Sequence, residues 1–284
     1  MPVEYLHIDI KTAQSSKRAE TPCGDVVVSR RTTTGTVLLC ADGIGSGIRA
    51  HIAAQMCAGR VIESLEKGFS FRRTFETVAA TMQRSRDPSL PFCAFGMAHI
   101  RPDGEAATLV YDAPPPILVG LHTASRLPER PFPLVGGLAA ESHCQLAVGE
   151  SLMLMSDGIT QSGIGGAVPG GWTSDGVVRF VNDCLIEGAK HTDLPDLVHR
   201  RAIENWRGAM PGRNRPNELH RKAKAGGDDV YGAVAVAPSR VAMVGDDCTV
   251  ALAHCRKGQI VNILTGPPAD REHDAAVVRK FLAM

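Results

Sequence analysis

The order of short apolar runs constrains this chain most. Runs of strand length come in blocks, and stretches with helical spacing separate the blocks. VEYLHIDI at 3–10 alternates apolar and polar residues, as a half-buried strand does. DVVVSRR and GTVLLCAD follow, divided by Thr-Thr-Thr-Gly at 32–35, and read as a hairpin. The period then changes. From Ser46 to Leu65 the apolar positions Ile48, Ile52, Met56, Val61, Ile62 and Leu65 recur at helical spacing, and Lys67-Gly68 is a stop signal. A second helical segment spans roughly Phe71 to Arg84.

The middle of the chain returns to strands. FCAFGMAHI, AATLVYDA, PILVGL, HCQLAV and SLMLMSD are divided by Gly, Pro and Asp, and their spacing suggests an antiparallel meander. Helical segments are expected at about 174–187 and 193–207. Residues 208–228, rich in Pro, Gly, Arg and Lys, read as a surface loop or insertion. YGAVAVA, DCTVALAHC and QIVNIL read as strands, and DREHDAAVVRKFLAM as a helix. Strand blocks interleaved with paired helices imply an α+β fold, a four-layer α-β-β-α sandwich of two antiparallel sheets flanked by helices. The expected organisation is a catalytic domain over 1–256 and a C-terminal extension over 257–284, which suggests the start of a further unit of a longer protein.

Composition removes several function classes. Apolar residues are 44 % and charged residues 21 %, which places the chain among globular proteins rather than disordered ones. With 31 basic and 30 acidic residues there is no basic surplus for nucleic acid. The N-terminus carries no secretory pattern, and no apolar stretch approaches the ~20 residues that span a bilayer. Eight cysteines without a CxxC pair, several inside apolar runs, read as buried free thiols of a reducing cytoplasm.

Four aspartates stand at the ends of expected strands: Asp25 in CGDVVV, Asp42 in LLCADGIGSG, Asp157 in LMLMSDGIT and Asp246 in VGDDCTVAL. One Asp-Gly after a strand is an ordinary turn. Four such carboxylates brought together would repel one another and hold their protons, unless divalent cations offset the charge. Oxygen-only ligands favour Mg²⁺ or Mn²⁺.

These motifs, in the order GD, ADGIGSG before a helix, GESLMLMSDGIT and GDDCTVAL, resemble the SpoIIE-type branch of the metal-dependent protein serine/threonine phosphatases, the type 2C-like PPM superfamily. The 17-residue separation of Asp25 and Asp42 suits the hairpin that joins them in that family, and YDAPPPILV and PLVGGL resemble its middle segments. The resemblance covers about residues 20–255. It implies that Asp42 bridges two cations, Mn²⁺ or Mg²⁺, with the Gly43 carbonyl joining one of them. Asp157 and Asp246 complete the other site, and Asp25 holds an ion directly or through water. It implies hydrolysis of phosphoserine or phosphothreonine on a protein by a metal-bridged water, with Asp42, Asp157 and Asp246 acting through that water. The implied setting is bacterial signalling by partner switching, with a phosphorylated anti-sigma-factor antagonist as a candidate substrate. Neither nucleic acid nor membrane is an expected partner, and the oligomeric state is left open. Two rivals stand beside this reading: a pseudophosphatase that binds a partner as a scaffold, and a hydrolase of small phosphate esters.

Departures and discarded motifs matter too. Ile44 stands where the eukaryotic branch has a histidine, which leaves the general acid unassigned, and YDAPPP replaces the usual Asn and His. DGIGSG lacks the Lys-Ser/Thr of a P-loop and the order of a dinucleotide fingerprint. GGDDV at 226–230 resembles a diguanylate cyclase signature, but its surroundings do not, and Asp246 is preferred to Asp228 as the last ligand. His51 reads as a surface or packing residue, and Arg30, Arg31 and Arg49 as solvated rather than phosphate-binding.

Overall fold

A computed structural model describes residues 5–84, 92–132, 134, 138–166, 168–209 and 245–258. The strands are β1 (Leu6–Ser15), β2 (Asp25–Thr32), β3 (Gly35–Gly43), β4 (Cys93–Ile100), β5 (Glu105–Tyr111), β6 (Ile117–Val119), β7 (Ala124–Arg126), β8 (Arg130–Pro131), β9 (Ala139–Gln145), β10 (Ser151–Met155) and β11 (Cys248–Lys257). The α-helices are α1 (Ile48–Glu66), α2 (Phe71–Arg84), α3 (Asp157–Thr160), α4 (Thr173–Ile186) and α5 (Leu194–Ala209), with a 3-10 turn at His191–Asp193. One sheet has the order β1-β11-β10-β6-β7 and the other β2-β3-β4-β5-β9-β8, and every pairing is antiparallel.

Strand β3 shows why the two sheets stack. Its Val37, Leu39 and Ala41 pack against α1 and α2, through Ala54, Cys57, Val61, Phe75 and Val78 among others. Its Leu38 and Cys40 face the other way, into a layer shared with Leu152 and Leu154 of β10 and Ala251 and Ala253 of β11. Alternate residues of β10 and β11, among them Met153, Met155, Val250 and Leu252, then meet Val177, Val181, Val198 and Trp206 of α4 and α5. A strand covered on both faces reads as a continuous apolar run, which is what VLLCA and SLMLM are. Three apolar layers thus separate four structural layers, as expected.

One expectation needs correction. The five runs of the middle segment do not form one meander. β4 and β5 pair, but β6 and β10 belong to the other sheet, and the neighbour of β5 is β9. α1 forms close to the expected span, but only part of its apolar stripe, Val61 and Leu65, faces the core. Ile48, Ile52 and Met56 are 63 %, 49 % and 41 % exposed, whereas Ala50, Ala53, Ala54, Cys57, Ala58 and Val61 are buried. Small residues win because the helix rides close on the end of β3. A Cβ added to Gly43 would lie 2.0 Å from the carbonyl oxygen of Ala50.

α2, α4 and α5 stand close to the expected spans, and the short α3 is an addition to them. All eight cysteines are free thiols, six of them buried and Cys23 and Cys144 half-buried. Apart from the last two residues of α5, the 208–228 segment lies outside the described residues. So do YGAVAVA, QIVNIL, GGDDV with Asp228, and the extension beyond Gly258. No helix among the described residues is long and apolar enough to cross a membrane.

Candidate metal centre

Strand register brings the aspartates together. In the β2–β3 hairpin Thr32 pairs with Gly35, and stepping outward along the ladder arrives at Asp25 opposite Asp42. The 17-residue separation is therefore a cross-strand pairing, and two like charges directly opposite are destabilising unless something offsets them. In the other sheet, Met155 of β10 pairs with Val250 of β11. Asp157 leaves the end of β10 where Asp246 and Asp247 lead into β11. Both strand pairs end at the same rim, because the Asp157 main-chain N–H donates to Asp42 Oδ2 at 3.4 Å across the sheets.

The glycines beside these aspartates serve close approach. A Cβ on Gly158 would lie 1.9 Å from the Asp247 carbonyl oxygen, and one on Gly24 would lie 2.6 Å from Asp247 Oδ2. The Gly43 N–H donates to the Gly24 carbonyl at 3.3 Å, which ties the two hairpin arms at the rim. Gln161 donates to Asp157 Oδ2 at 2.8 Å, and the Asp247 N–H donates to Asp246 Oδ1 at 2.9 Å, so both carboxylates are oriented.

Burial and mutual repulsion make the rim a proton trap. Burial raises the Asp25 carboxyl to about 6, and the Asp247 charge adds to this. Asp42 is raised well above its ordinary value by burial and then by the charges of Asp25, Asp157 and Asp246, which identifies it as the hub. Burial likewise raises Asp157, and burial with the Asp157 charge brings Asp246 to about 6. Among the described residues none of the four forms an ion pair with a lysine, arginine or histidine.

Asp25 is the least accessible of the four. It is 2 % accessible, and neither carboxylate oxygen has a hydrogen-bond partner. The nearby hydroxyls of Thr249 and Ser156 favour its ionised form without forming a hydrogen bond to either oxygen. Thr249 Oγ1 accepts from Gln14 at 3.1 Å, and Ser156 Oγ accepts the Thr249 N–H at 3.0 Å. Orphaned buried carboxylate oxygens are costly and demand a partner. A divalent cation fits that demand, since all the donors offered are oxygens. The described residues hold no cage of three or more His, Cys, Asp or Glu side chains already closed around one point. What they hold is a set of carboxylates brought to one rim, with Asp25 opposite Asp42 and the Asp157 N–H on Asp42 Oδ2.

The remaining sequence candidates fall elsewhere. His51 Nδ1 lies 2.8 Å from the Cys23 carbonyl, an acceptor only, so Nδ1 carries the proton and the ring ties α1 to the approach to Asp25. Arg30 pairs with Glu66 and Arg31 contacts His7, while Arg49 is exposed. Ile44 is exposed and brings no acid to the site. In YDAPPP, Asp112 serves a turn: its N–H donates to the Leu138 carbonyl and its Oδ1 accepts the Leu138 N–H. Sequence reasoning missed Gln14, whose side chain donates to the Asp25 carbonyl at 3.0 Å, and Asp247. The Asp-Asp pair was the available signal for the latter.

Known proteins resemble this chain in family pattern and in fold. The family model of Stage II sporulation protein E (SpoIIE) matches residues 32–209. The phosphatase domain of the cell fate determinant SpoIIE from Bacillus subtilis superposes with a TM-score of 0.58 at 15 % identity, over 90 % of this chain and 95 % of that one. The RsbU and RsbW domains of a Mycobacterium tuberculosis protein superpose with a TM-score of 0.63 at 15 % identity, over 91 % of this chain and 62 % of that one. This chain therefore spans less than two thirds of the latter structure. RsbX in complex with magnesium gives a TM-score of 0.52 at 14 % identity, over 88 % and 99 %. No curated protein matches the sequence.

Proposed function

Because the chain belongs to the SpoIIE family, we propose that it hydrolyses phosphoserine or phosphothreonine on a partner protein, using divalent cations held by Asp25, Asp42, Asp157 and Asp246. The observation that carries this reading is the pair of orphaned, buried Asp25 oxygens facing a carboxylate hub at Asp42. Bound Mn²⁺ or Mg²⁺ would supply the charge that offsets the carboxylates, acidifies water and neutralises phosphoryl oxygens. The magnesium in the RsbX complex supports this choice of ion.

The chain's own residues do the positioning. Asp42, which meets Asp157 across the sheets, would be one of the residues holding the cations, and the absence of a Cβ on Gly43 lets the Ala50 carbonyl come close. Gln161 fixes the Asp157 carboxylate. Rigid strands set the donors, so the protein supplies geometry and charge without needing a nucleophilic side chain. The RsbU and SpoIIE likenesses support a partner-switching role, with a phosphorylated anti-sigma-factor antagonist as substrate.

The purified chain with Mn²⁺ should release phosphate from a phosphoserine peptide. Asp42→Asn should lower turnover at least about a hundredfold, the scale at which loss of one electrostatic contact to a developing charge is felt. Metal-dependent turnover that survives this substitution counts against the reading. Sugar and nucleotide phosphates cleaved in preference to phosphopeptides would point to the small-ester rival.

A further inference from the structure

Resting on the cation-site reading above, we propose that Asp247 is the positioning residue that assembles the acidic rim, without itself being a cation ligand. Asp247 is 4 % accessible. Its Oδ1 accepts the Lys17 N–H at 2.6 Å and its Oδ2 accepts the Gly24 N–H at 3.0 Å. Both partners are donors, so the position needs a side chain that only accepts, which an ionised carboxylate is and an amide is not. Charge-assisted bonds of this kind are the stronger class.

Each polar group of Asp247 addresses a different aspartate. The side chain clamps Gly24, the residue before Asp25, and reaches across to Lys17 at the start of the β1–β2 connection. The main-chain N–H holds Asp246 Oδ1. The carbonyl oxygen sits against Gly158, the residue after Asp157, so closely that no side chain could intervene there. One residue thus spaces Asp25, Asp157 and Asp246 relative to one another, and Asp42 follows through its register with Asp25. The contrast with Asp25 separates the two roles. Asp247 spends both oxygens on main-chain donors, and Asp25 has neither oxygen engaged.

The test is Mn²⁺ binding by isothermal titration calorimetry on the full chain, comparing wild type, Asp247→Ala and Asp247→Asn well below their melting temperatures. Asp247→Ala is expected to weaken Mn²⁺ binding at least about tenfold. Asp247→Asn should fall between, since its amide oxygen satisfies one donor while its amino group opposes the other. Assayed for turnover, the variants should need more Mn²⁺ for half-maximal rate, with KM for the phosphopeptide unchanged at saturating metal. A purely structural role would lower melting temperature and leave Mn²⁺ affinity alone. Wild-type affinity in folded Asp247→Ala overturns the proposal. If the alanine variant does not fold, wild-type affinity in Asp247→Asn overturns it equally. Failure of wild type itself to bind Mn²⁺ would sink the cation-site reading, whereas equal binding by all three sinks only the role given to Asp247.

Discussion

The two ends of the sandwich treat acidic side chains in opposite ways. At the end bearing the β2–β3 turn, carboxylates meet cations: Arg30 with Glu66, Arg101 with Glu105, Arg72 with Glu141, and Arg256 with Asp9. At the far rim, Asp25, Asp42, Asp157 and Asp246 face one another without any such ion pair among the described residues. The arginines of these pairs are about half exposed, where charges cost little and gain little. Asp25 is shut off from water and the other three rim aspartates are half-buried, so their repulsion is felt. A fold that readily supplies arginine partners at one end and withholds them at the other leaves room at the second for a partner from outside the chain.

This contrast is sharpest in stability without metal. Asp25 sits at about 6 in the fold against an ordinary 3.8. A raised carboxyl holds its proton more tightly folded than unfolded, so folding takes up protons in that window. Stability is then full below about 3.8 and is lost as pH rises through about 6. Asp42 and Asp246 shift in the same direction. The metal-free protein should melt higher at pH 5 than at pH 7, against the usual acid trend. Asp25→Asn should stabilise it at pH 7 by up to about 3 kcal/mol, the equivalent of that displacement, and should flatten the pH profile. Differential scanning fluorimetry in chelator measures both. An Asp25→Asn protein less stable than wild type across the range would break the comparison.

At the opposite end the expected effect is small. Arg30→Ala removes a partner of Glu66 on a surface where both side chains are about half exposed. Urea denaturation should show a loss below about 1 kcal/mol, smaller still in high salt. A larger loss, or any change in Mn²⁺ affinity, would mean that the two ends are not independent.

Much of this was legible in the sequence, for physical reasons that can be located. VLLCADG and SLMLMSDG announce strands buried on both faces that end in a carboxylate, and hairpin register converts the spacing of Asp25 and Asp42 into contact. Periodicity found α1 but not which of its faces is buried, because two stripes compete there. Ile48, Ile52 and Met56 are larger, but the stripe led by Ala50 fits a helix pressed against Gly43. The division of the middle strands between sheets was invisible because pairing is long-range: β6 finds β10, and β5 finds β9, across intervening chain. Asp247 was overlooked because nothing in a sequence tells an acceptor of main-chain donors from a ligand. That distinction lies in where Lys17 and Gly24 point.

Calorimetric titration of the full chain with Mn²⁺ at pH 7 tests the central claim most directly. The acidic rim should take up about two ions per chain, as a dinuclear site does, and Asp42→Asn should abolish or severely weaken that uptake. Absence of binding up to millimolar Mn²⁺ and Mg²⁺, or binding indifferent to Asp42→Asn, would contradict it.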